Sequence, residues 1–350
     1  MYIERLKKLV DLIPANATLI FSPENLYYFS GFTGGEGMLY IDKKRLILFT
    51  DSRYTIQAQN EAPDFEIIDT ANMSVSEFLK SQGDKAYGLE DDYVTFSKFA
   101  SLKRISPKSV FSPVSSHIDK IRMIKDSNEI EKIKTAAKIA DSAYSFILDK
   151  ICTGKTERQI ALDLEYFMKS QGAEGLSFDT IVASGVRSAL PHGTASDKVI
   201  ESGDFVTLDF GCKYLGYCSD MTRTVVMGKA SERQKEIYST VLAAQKASLD
   251  TIRAGELAKA VDDAARSIIT DAGYGKNFGH GLGHSLGLKV HESPSCSPKS
   301  ADVLTENMLM TVEPGIYIED FGGVRIEDLV LVTKDGHENL TASKKELTEL

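Results

Sequence analysis

Residues 205–226 read FVTLDFGCKYLGYCSDMTRTVV. Apolar residues alternate along both halves, and the central Lys213-Tyr214-Leu215-Gly216 is typical of a turn, so the stretch predicts a β-hairpin. A symmetric turn at the middle of that tetrapeptide places Asp209 directly opposite Asp220. Directly opposed residues share a face, with β-carbons about 4.5–5.5 Å apart, and like charges there repel unless something binds between them.

A second hairpin is predicted in residues 309–327, which read LMTVEPGIYIEDFGGVRIE. With a turn at Phe321-Gly322-Gly323, Glu313 and Glu327 come roughly opposite each other. Arg325 shares a strand face with Glu327, since strand side chains alternate with a period of two. Two interpretations of Arg325 remain open: it is a salt-bridge partner of Glu327, or it contacts a substrate.

A glycine-rich segment between the hairpins, residues 279–292 (GHGLGHSLGLKVHE), contains three of the six histidines. It matches neither the glycine pattern of a phosphate-binding loop nor the H-E-x-x-H pattern of thermolysin-type zinc sites. His284 is therefore a candidate ligand beside the four acids, and Pro191-His192-Gly193 supplies another candidate site histidine. Four carboxylates gathered in a core are very costly without a compensating cation. The pattern therefore predicts two divalent metal ions, an arrangement that typically activates water for hydrolysis.

The chain of 350 residues is long enough for two domains. About the first 120 residues alternate short apolar strands with helices, as in an α/β domain. A boundary is predicted near residues 117–125, giving domains 1–122 and 123–350. In the second domain the order helix, helix, histidine segment, hairpin occurs twice, which predicts one pseudo-symmetric domain with its site at the shared interface. Its helices are predicted near residues 126–150, 156–171, 231–253 and 257–272.

Composition narrows the class of protein. Hydrophobic residues make up 42% and charged residues 26% of the chain, ordinary values for a soluble globular protein. The net charge of -9 argues against nucleic acid or an anionic membrane surface as a partner. No apolar run approaches the ~20 residues of a membrane span, and no signal peptide is recognisable at the N-terminus. We therefore expect a cytoplasmic protein whose four cysteines are free thiols.

Taken together, these motifs resemble those of the pita-bread metallopeptidases, in the branch of aminopeptidase P and prolidase. The resemblance covers essentially the whole chain and rests on Pro191-His192-Gly193, Leu208-Asp209-Phe210-Gly211, residues 219–224, residues 279–292, Val312-Glu313-Pro314-Gly315 and residues 324–328. It implies an α/β creatinase-like N-terminal domain followed by an α+β pita-bread catalytic domain with pseudo-two-fold symmetry. Methionine aminopeptidase usually lacks such an N-terminal domain, and creatinase lacks the full set of metal ligands.

Site roles follow from the resemblance. Asp209 is expected to bind one metal ion, His284 and Glu313 the other, and Asp220 and Glu327 both. A set of mostly carboxylate ligands with one imidazole suits Mn²⁺, with Co²⁺ or Zn²⁺ as alternatives. Catalytic roles are expected for His192, His291 and Glu313: Glu313 transfers the proton of the attacking water, and the two histidines hydrogen-bond the substrate and the developing oxyanion. The substrate site is expected to include His192, His280, His291, Tyr317 and Arg325.

The expected activity is that of an Xaa-Pro aminopeptidase, acting on peptides with proline at the second position. The reason is local: in several relatives an arginine shortly after the His-Glu motif holds the carboxylate of a dipeptide, whereas Ser293-Pro294-Ser295-Cys296 follows here. The alternatives are an Xaa-Pro dipeptidase (prolidase), a non-catalytic peptide-binding member of the fold, and a metal hydrolase that does not act on peptides. A homodimer is expected, as in relatives. Ser285 stands where relatives often have glycine.

Overall fold

The computed structural model describes residues 2–350, which divide into two compact units between Arg122 and Met123. The elements of the first unit are, in chain order, α1 (Tyr2–Leu12), β1 (Ala17–Ile20), α2 (Pro23–Ser30), β2 (Met38–Asp42), β3 (Leu46–Thr50), α3 (Thr55–Glu61), β4 (Glu66–Asp69), α4 (Val75–Ser81), β5 (Ala86–Leu89), α5 (Phe96–Ile105), β6 (Val110–Pro113) and α6 (Ser115–Met123).

Its six strands form one mixed sheet in the order β4-β3-β2-β1-β5-β6. β1 and β3 each pair antiparallel with β2, and the other three pairings are parallel. Every residue of β1 is buried, as the short apolar run Ala17–Ile20 predicts for a central strand. The α/β class predicted for this part of the chain is confirmed.

The second unit is built from four long helices and many short strands. Its helices are α7 (Ser127–Leu148), α8 (Glu157–Ser170), α9 (Glu232–Thr251) and α10 (Ala258–Asp271), with 3₁₀ turns at Gly185–Ala189 and Gly275–Asn277. Its strands are β7 (Gly175–Leu176), β8 (Ile181–Ser184), β9 (Phe205–Phe210), β10 (Cys212–Tyr214), β11 (Tyr217–Cys218), β12 (Met221–Val226), β13 (Gly283–Ser285), β14 (Glu292–Cys296), β15 (Leu309–Val312), β16 (Gly315–Ile318), β17 (Gly322–Arg325), β18 (Asp328–Val332) and β19 (His337–Asn339).

Local sequence signals set where these helices begin. α7, α8 and α9 each start with a capping box, in which the N-cap side chain and the side chain three residues later satisfy each other's backbone N–H groups. The pairs are Asp126 with Glu129, Thr156 with Gln159, and Ser231 with Gln234. All four predicted helices are confirmed to within a few residues.

The unit contains two similar halves. α7 and α8 share one apolar core with β9 and β12, and α9 and α10 share another with β15 and β18. The two hairpins meet between these cores, where Glu327 N donates to Thr222 O over 3.0 Å and Thr224 Oγ1 donates to Arg325 O over 3.0 Å. The predicted repeat of helix pair and hairpin is thus present, and its interface brings the acid-bearing strands together.

No helix within residues 2–350 combines the length and the apolar content that crossing a bilayer requires.

Candidate metal centre

One cleft of about 540 Å³ in the second unit collects the acids and histidines singled out in the sequence. Of the ten predicted site residues, nine line it: Asp209, Asp220, Glu313, Glu327, His192, His280, His284, His291 and Arg325. The tenth, Tyr317, contacts Arg325 and His280 through its hydroxyl group. Residues separated by well over 100 positions therefore meet at one place.

The first hairpin has a different register from the predicted one. Asp209 pairs with Thr222, not with Asp220, because the turn is centred between Leu215 and Gly216 rather than one bond earlier. Both turn residues have positive φ, 45° and 82°, the signature of a tight type I′ connection. Asp220 is two residues from Thr222, so its side chain lies on the same strand face. It is therefore still a neighbour of Asp209, diagonally rather than directly opposite.

Gly211 allows the two strands of this hairpin to cross closely. The strands break between β9 and β10 and between β11 and β12, and Asp220 lies in the second break. A β-carbon at Gly211 would come within 1.9 Å of Ser219 O. Any larger residue there must push the backbone of Ser219 and Asp220 away, so glycine at this position sets where the Asp220 carboxylate lies.

We expect Gly211→Ala to lower the free energy of unfolding by about 2–3 kcal/mol, because a new methyl group is forced into a filled space. Gly175→Ala is the matched control, since a β-carbon at Gly175 meets no atom within 4 Å among the described residues. That variant should stay within about 0.5 kcal/mol of the unmodified protein in urea denaturation. Equal effects of the two substitutions would contradict the importance of the close crossing.

The second hairpin brings Glu313 and Glu327 opposite each other, but its turn differs from the predicted one. Val312 and Asp328 form the last pair between β15 and β18. Glu313 and Glu327 are the next residue on each side, so the same register places them opposite each other. The turn is centred on Asp320, with φ 58°, and of the predicted turn Phe321-Gly322-Gly323 only Phe321 belongs to it. Gly322 and Gly323 begin β17. Gly323 is required for close approach, since a β-carbon there would lie 2.5 Å from Ser188 O.

His284 is oriented by its own backbone neighbourhood. Its Nδ1 lies 3.0 Å from Ser285 O. A carbonyl only accepts, so Nδ1 carries the hydrogen and the lone pair of Nε2 is available. Nε2 lies 3.4 Å from Glu313 Oε1 and 3.7 Å from Asp220 Oδ2. Burial lowers the pKa of His284 to about 4, so the ring is neutral at pH 7, the form that binds metal ions.

The acids of the cleft are in an environment that disfavours their charge. Burial raises the pKa of Glu313 to about 8. Burial, and then the neighbouring acids, raise the pKa values of Asp220 and Glu327 well above the ordinary range. Each of these groups would therefore resist ionisation without a nearby positive charge.

The strongest indication of a cation site is a set of unsatisfied oxygens. Asp209 Oδ1, Asp220 Oδ1 and Glu327 Oε1 are buried and have no hydrogen-bond partner within residues 2–350. Asp220, His284 and Glu327 each place one ligand atom within 4.8 Å of the other two. Buried unpaired carboxylate oxygens near a neutral imidazole fit divalent ions, which would satisfy these oxygens.

Threonine hydroxyls, which are absent from the site residues predicted from the sequence, orient the carboxylates. Thr222 Oγ1 donates to Glu327 Oε2 over 2.6 Å, leaving Oε1 as the free oxygen. Thr311 Oγ1 donates to Glu313 Oε1 over 3.2 Å and accepts from His284 N at 2.9 Å. Their positions in the sequence could have indicated this role. Thr222 is two residues from Asp220 and Thr311 is two residues from Glu313, so each shares a strand face with a candidate ligand.

Arg325 forms an ion pair with Asp209, and the interpretation that it pairs with Glu327 is wrong. Its Nη2 donates to Asp209 Oδ2 over 2.6 Å, and its Nη1 donates to Tyr317 Oη over 2.8 Å. His280 Nδ1 lies 2.7 Å from Gly281 O and must donate, so its Nε2 accepts from the Tyr317 hydroxyl at 3.0 Å. Burial lowers the pKa of His280 to about 4, in keeping with this neutral form.

Ser285 has a defined partner that accounts for its hydroxyl group. Lys125 Nζ, only 1% exposed as a side chain, lies 3.1 Å from Ser285 Oγ and 3.4 Å from Glu292 Oε2. The hydroxyl thus accepts from a buried ammonium group that also pairs with Glu292, and these two contacts adjoin His284 and His291 in the chain. The rings of those two histidines are 4.4 Å apart.

Comparison with known proteins gives matches over the whole chain. Residues 131–334 match the model of metallopeptidase family M24, and residues 3–124 match the Creatinase/Prolidase N-terminal domain. An Xaa-Pro dipeptidase of Pyrococcus furiosus is 43% identical over 352 residues, covering 98% of this chain and 99% of the relative.

Two solved structures are also similar. An Xaa-Pro dipeptidase from Bacillus anthracis aligns with a TM-score of 0.96 and 44% identity, and 100% of both chains is covered. An X-Pro aminopeptidase from Thermotoga maritima aligns with a TM-score of 0.92 and 42% identity, over 99% of this chain and 100% of that one. The aligned regions thus extend over both units.

Proposed function

Because this chain belongs to metallopeptidase family M24, we propose that it is an Xaa-Pro dipeptidase, which hydrolyses the bond before a C-terminal proline. The observation that carries the proposal is the group of unpaired carboxylate oxygens of Asp209, Asp220 and Glu327 in one cleft with His284. Unpaired carboxylate oxygens grouped in this way require a cation. The match to a metallopeptidase family indicates that the cation serves hydrolysis.

The dipeptidase ranks above the aminopeptidase expected from the sequence. That expectation rested on the absence of an arginine after His291-Glu292. Support for the dipeptidase comes from relatives with that name that are 43–44% identical over nearly their full length. Longer Xaa-Pro peptides remain the second candidate substrate. In their favour, Arg325 is the only arginine or lysine lining the cleft in the described chain, and Asp209 already pairs with it.

The proposed ligands are divided between two ions. Asp209 would hold one, His284 and Glu313 the other, and Asp220 and Glu327 both. With mainly carboxylate donors, Mn²⁺ is the proposed metal. When bound, such ions supply Lewis-acid chemistry and make water a nucleophile near neutral pH.

The remaining residues would bind and orient the substrate. Glu313 is proposed to move the proton of the attacking water to the prolyl nitrogen, which has no hydrogen of its own and cannot leave as an anion. His192 and His291, both exposed in the cleft, are proposed to donate to the substrate and the developing oxyanion. Arg325 binds Asp209 through Nη2, and its Nη1 is held by the Tyr317 hydroxyl. His280 in turn holds that hydroxyl.

The deciding assay compares an Xaa-Pro dipeptide with the Xaa-Pro-Xaa tripeptide of the same first residue, each with Mn²⁺ and with chelator. We expect kcat/KM for the dipeptide to exceed that for the tripeptide by about ten-fold or more, a difference of about 1.4 kcal/mol in transition-state stabilisation. Chelator should abolish both rates. A preference for the tripeptide would establish the aminopeptidase instead, and cleavage of neither peptide would refute the Xaa-Pro proposal.

Two further properties are proposed for the whole protein. We propose a cytoplasmic location, supported by four cysteines that are all free thiols. A homodimer is proposed from the family resemblance, and light scattering at several concentrations tests it by giving the mass in solution.

A further inference from the structure

A fully buried carboxylate outside the metal cluster fastens the loop that carries His192. Glu157, the first residue of α8, has no exposed surface. Its Oε1 accepts from Ser184 N at 2.7 Å and Ser184 Oγ at 2.9 Å. Its Oε2 accepts from Ser196 N at 3.0 Å and Ser196 Oγ at 2.7 Å, and forms an ion pair with Arg187 Nη1. Oε1 thus holds the residue before one loop, and Oε2 holds the residue after it.

This loop, residues 185–195, is here called the His192 loop. Ser184 is the last residue of β8 and precedes the loop, and Ser196 follows it. Arg187 closes the loop on itself, because its second nitrogen, Nη2, donates to Thr194 O over 2.9 Å. The carboxylate therefore ties together the entry, the first turn and the exit of the segment with His192 near its middle.

The loop has few apolar contacts of its own that could replace these bonds. Val186 is 55% exposed and Leu190 is 52% exposed. Further polar contacts run to the second hairpin, where Ser188 Oγ accepts from Gly323 N at 2.8 Å and Pro191 O accepts from Arg325 Nη1 at 3.2 Å. Near the end of the loop, Thr194 forms a single β-bridge with Ile181. A segment with so little burial depends on polar contacts for a single conformation.

The cost of burying this charge indicates a role beyond packing. A buried carboxylate is expensive unless it is paired and hydrogen-bonded, and an apolar side chain could fill the space without that penalty. The N-terminus of the 14-residue helix α8 offsets part of the cost, since the helix dipole favours an anion there. Five donors converging on one carboxylate fix the loop geometry more closely than apolar packing would.

We propose that Glu157 is a positioning residue for His192, holding the His192 loop so that the imidazole faces the substrate. The proposal rests on the proposed function, in which His192 touches the substrate. Glu157 itself touches neither the substrate nor the metal ligands, and acts through Ser184, Arg187 and Ser196.

The test is a double-mutant cycle with Glu157→Gln and His192→Ala, measured with the Xaa-Pro dipeptide. We expect Glu157→Gln alone to lower kcat/KM on the order of 10²-fold, the penalty of a small misplacement, with bound Mn²⁺ unchanged. In the His192→Ala background the same substitution should cost less than about two-fold, because its target is gone. An equal fold-loss in both backgrounds, or no loss in either, would overturn the proposal.

A control and a milder variant separate positioning from general destabilisation. Glu90, in the first unit, is also fully buried, and accepts from Ser22 N at 3.0 Å, Ser22 Oγ at 2.6 Å and Asn25 Nδ2 at 2.7 Å. Glu90→Gln should lower the unfolding midpoint without any coupling to His192→Ala. If Glu157→Gln fails to fold, Ser196→Ala removes one donor only, and the same coupling to His192→Ala is expected.

Failure of the proposed function is distinguishable from failure of this inference. An unmodified protein that cleaves no Xaa-Pro peptide refutes the function. An active protein that is insensitive to His192→Ala, or one in which the two substitutions are additive, refutes the positioning role of Glu157 while leaving the peptidase intact.

Discussion

Glu327→Gln is expected to lower hydrolysis of an Xaa-Pro dipeptide by at least ~10³-fold, a loss of about 4 kcal/mol in transition-state stabilisation, and to prevent stoichiometric metal binding. One oxygen of Glu327 accepts from Thr222 and the other is buried without a partner in the described chain, beside Asp220 and His284. Glutamine keeps the shape but removes the charge and replaces one oxygen with a nitrogen that cannot bind a cation. Asp220→Asn should have the same effect, since Asp220 is the other proposed shared ligand.

The measurement pairs kinetics with metal analysis after dialysis. Glu319→Gln is the matched control, because Glu319 is an exposed glutamate in the turn of the same hairpin. It should keep both the rate and the metal content of the unmodified protein. If Glu327→Gln retained full turnover and full metal content after chelation and dialysis, Glu327 would not be a shared ligand.

Removal of metal is expected to abolish activity and to make the protein less stable as pH rises above about 6.5. The sign follows from Glu313, whose pKa is raised to about 8 in the folded protein, mainly by burial. An unfolded glutamate loses its proton near pH 4.3. Between these values the folded state binds the proton that the unfolded state has lost, so the free energy of unfolding falls with increasing pH.

The buried histidines work in the opposite direction, but only at lower pH. Burial lowers the pKa of His280 and His284 to about 4, so unfolding takes up protons from about pH 4 to 6.5 and stability rises with pH there. The fall due to the acids should therefore be clearest above pH 6.5. We expect a loss of about 2 kcal/mol between pH 6.5 and 8 for the metal-free protein.

Urea denaturation of metal-free and Mn²⁺-saturated protein across this range tests the effect. Metal at about 100 times its Kd adds about 2.7 kcal/mol per site, and its binding strengthens as the ligands lose their protons. The slope with pH should therefore weaken or reverse when Mn²⁺ is present. Glu313→Gln cannot ionise, and its metal-free form should show a flatter profile. A metal-free protein whose stability rises from pH 6.5 to 8 would contradict the account.

Sequence reasoning identified the site residues better than the backbone that holds them. The residue types and the alternation of strand side chains were enough to select Asp209, Asp220, Glu313 and Glu327. A carboxylate in an apolar strand is unusual, and that inference does not depend on the exact position of the turn. The register of the first hairpin was wrong because Leu215 adopts positive φ, which nothing in a leucine side chain favours. The pairing of β10 with β11 overrides local preference at that position.

Glycine was also ambiguous in the second hairpin. Gly322-Gly323 has the composition of a turn, yet both residues lie in β17, where Ser188 O leaves no room for a side chain at Gly323. Asp320 forms the turn instead. Close approach and turn formation both require glycine, and only the three-dimensional contacts separate them. The role of Glu157 also could not be predicted from the sequence. The start of its helix was predicted, but its partners Ser184 and Ser196 come close to it only in the folded structure.

Asp209, Asp220, Glu313, Glu327 and His284 are proposed to surround a pair of divalent ions. Anomalous diffraction from crystals grown with Mn²⁺ tests this claim most directly. We expect two peaks in the cleft, both in contact with Asp220 and Glu327, one of them also with Asp209 and the other with His284 and Glu313. A map with no peak there, or with manganese bound only elsewhere on the protein, would contradict the claim.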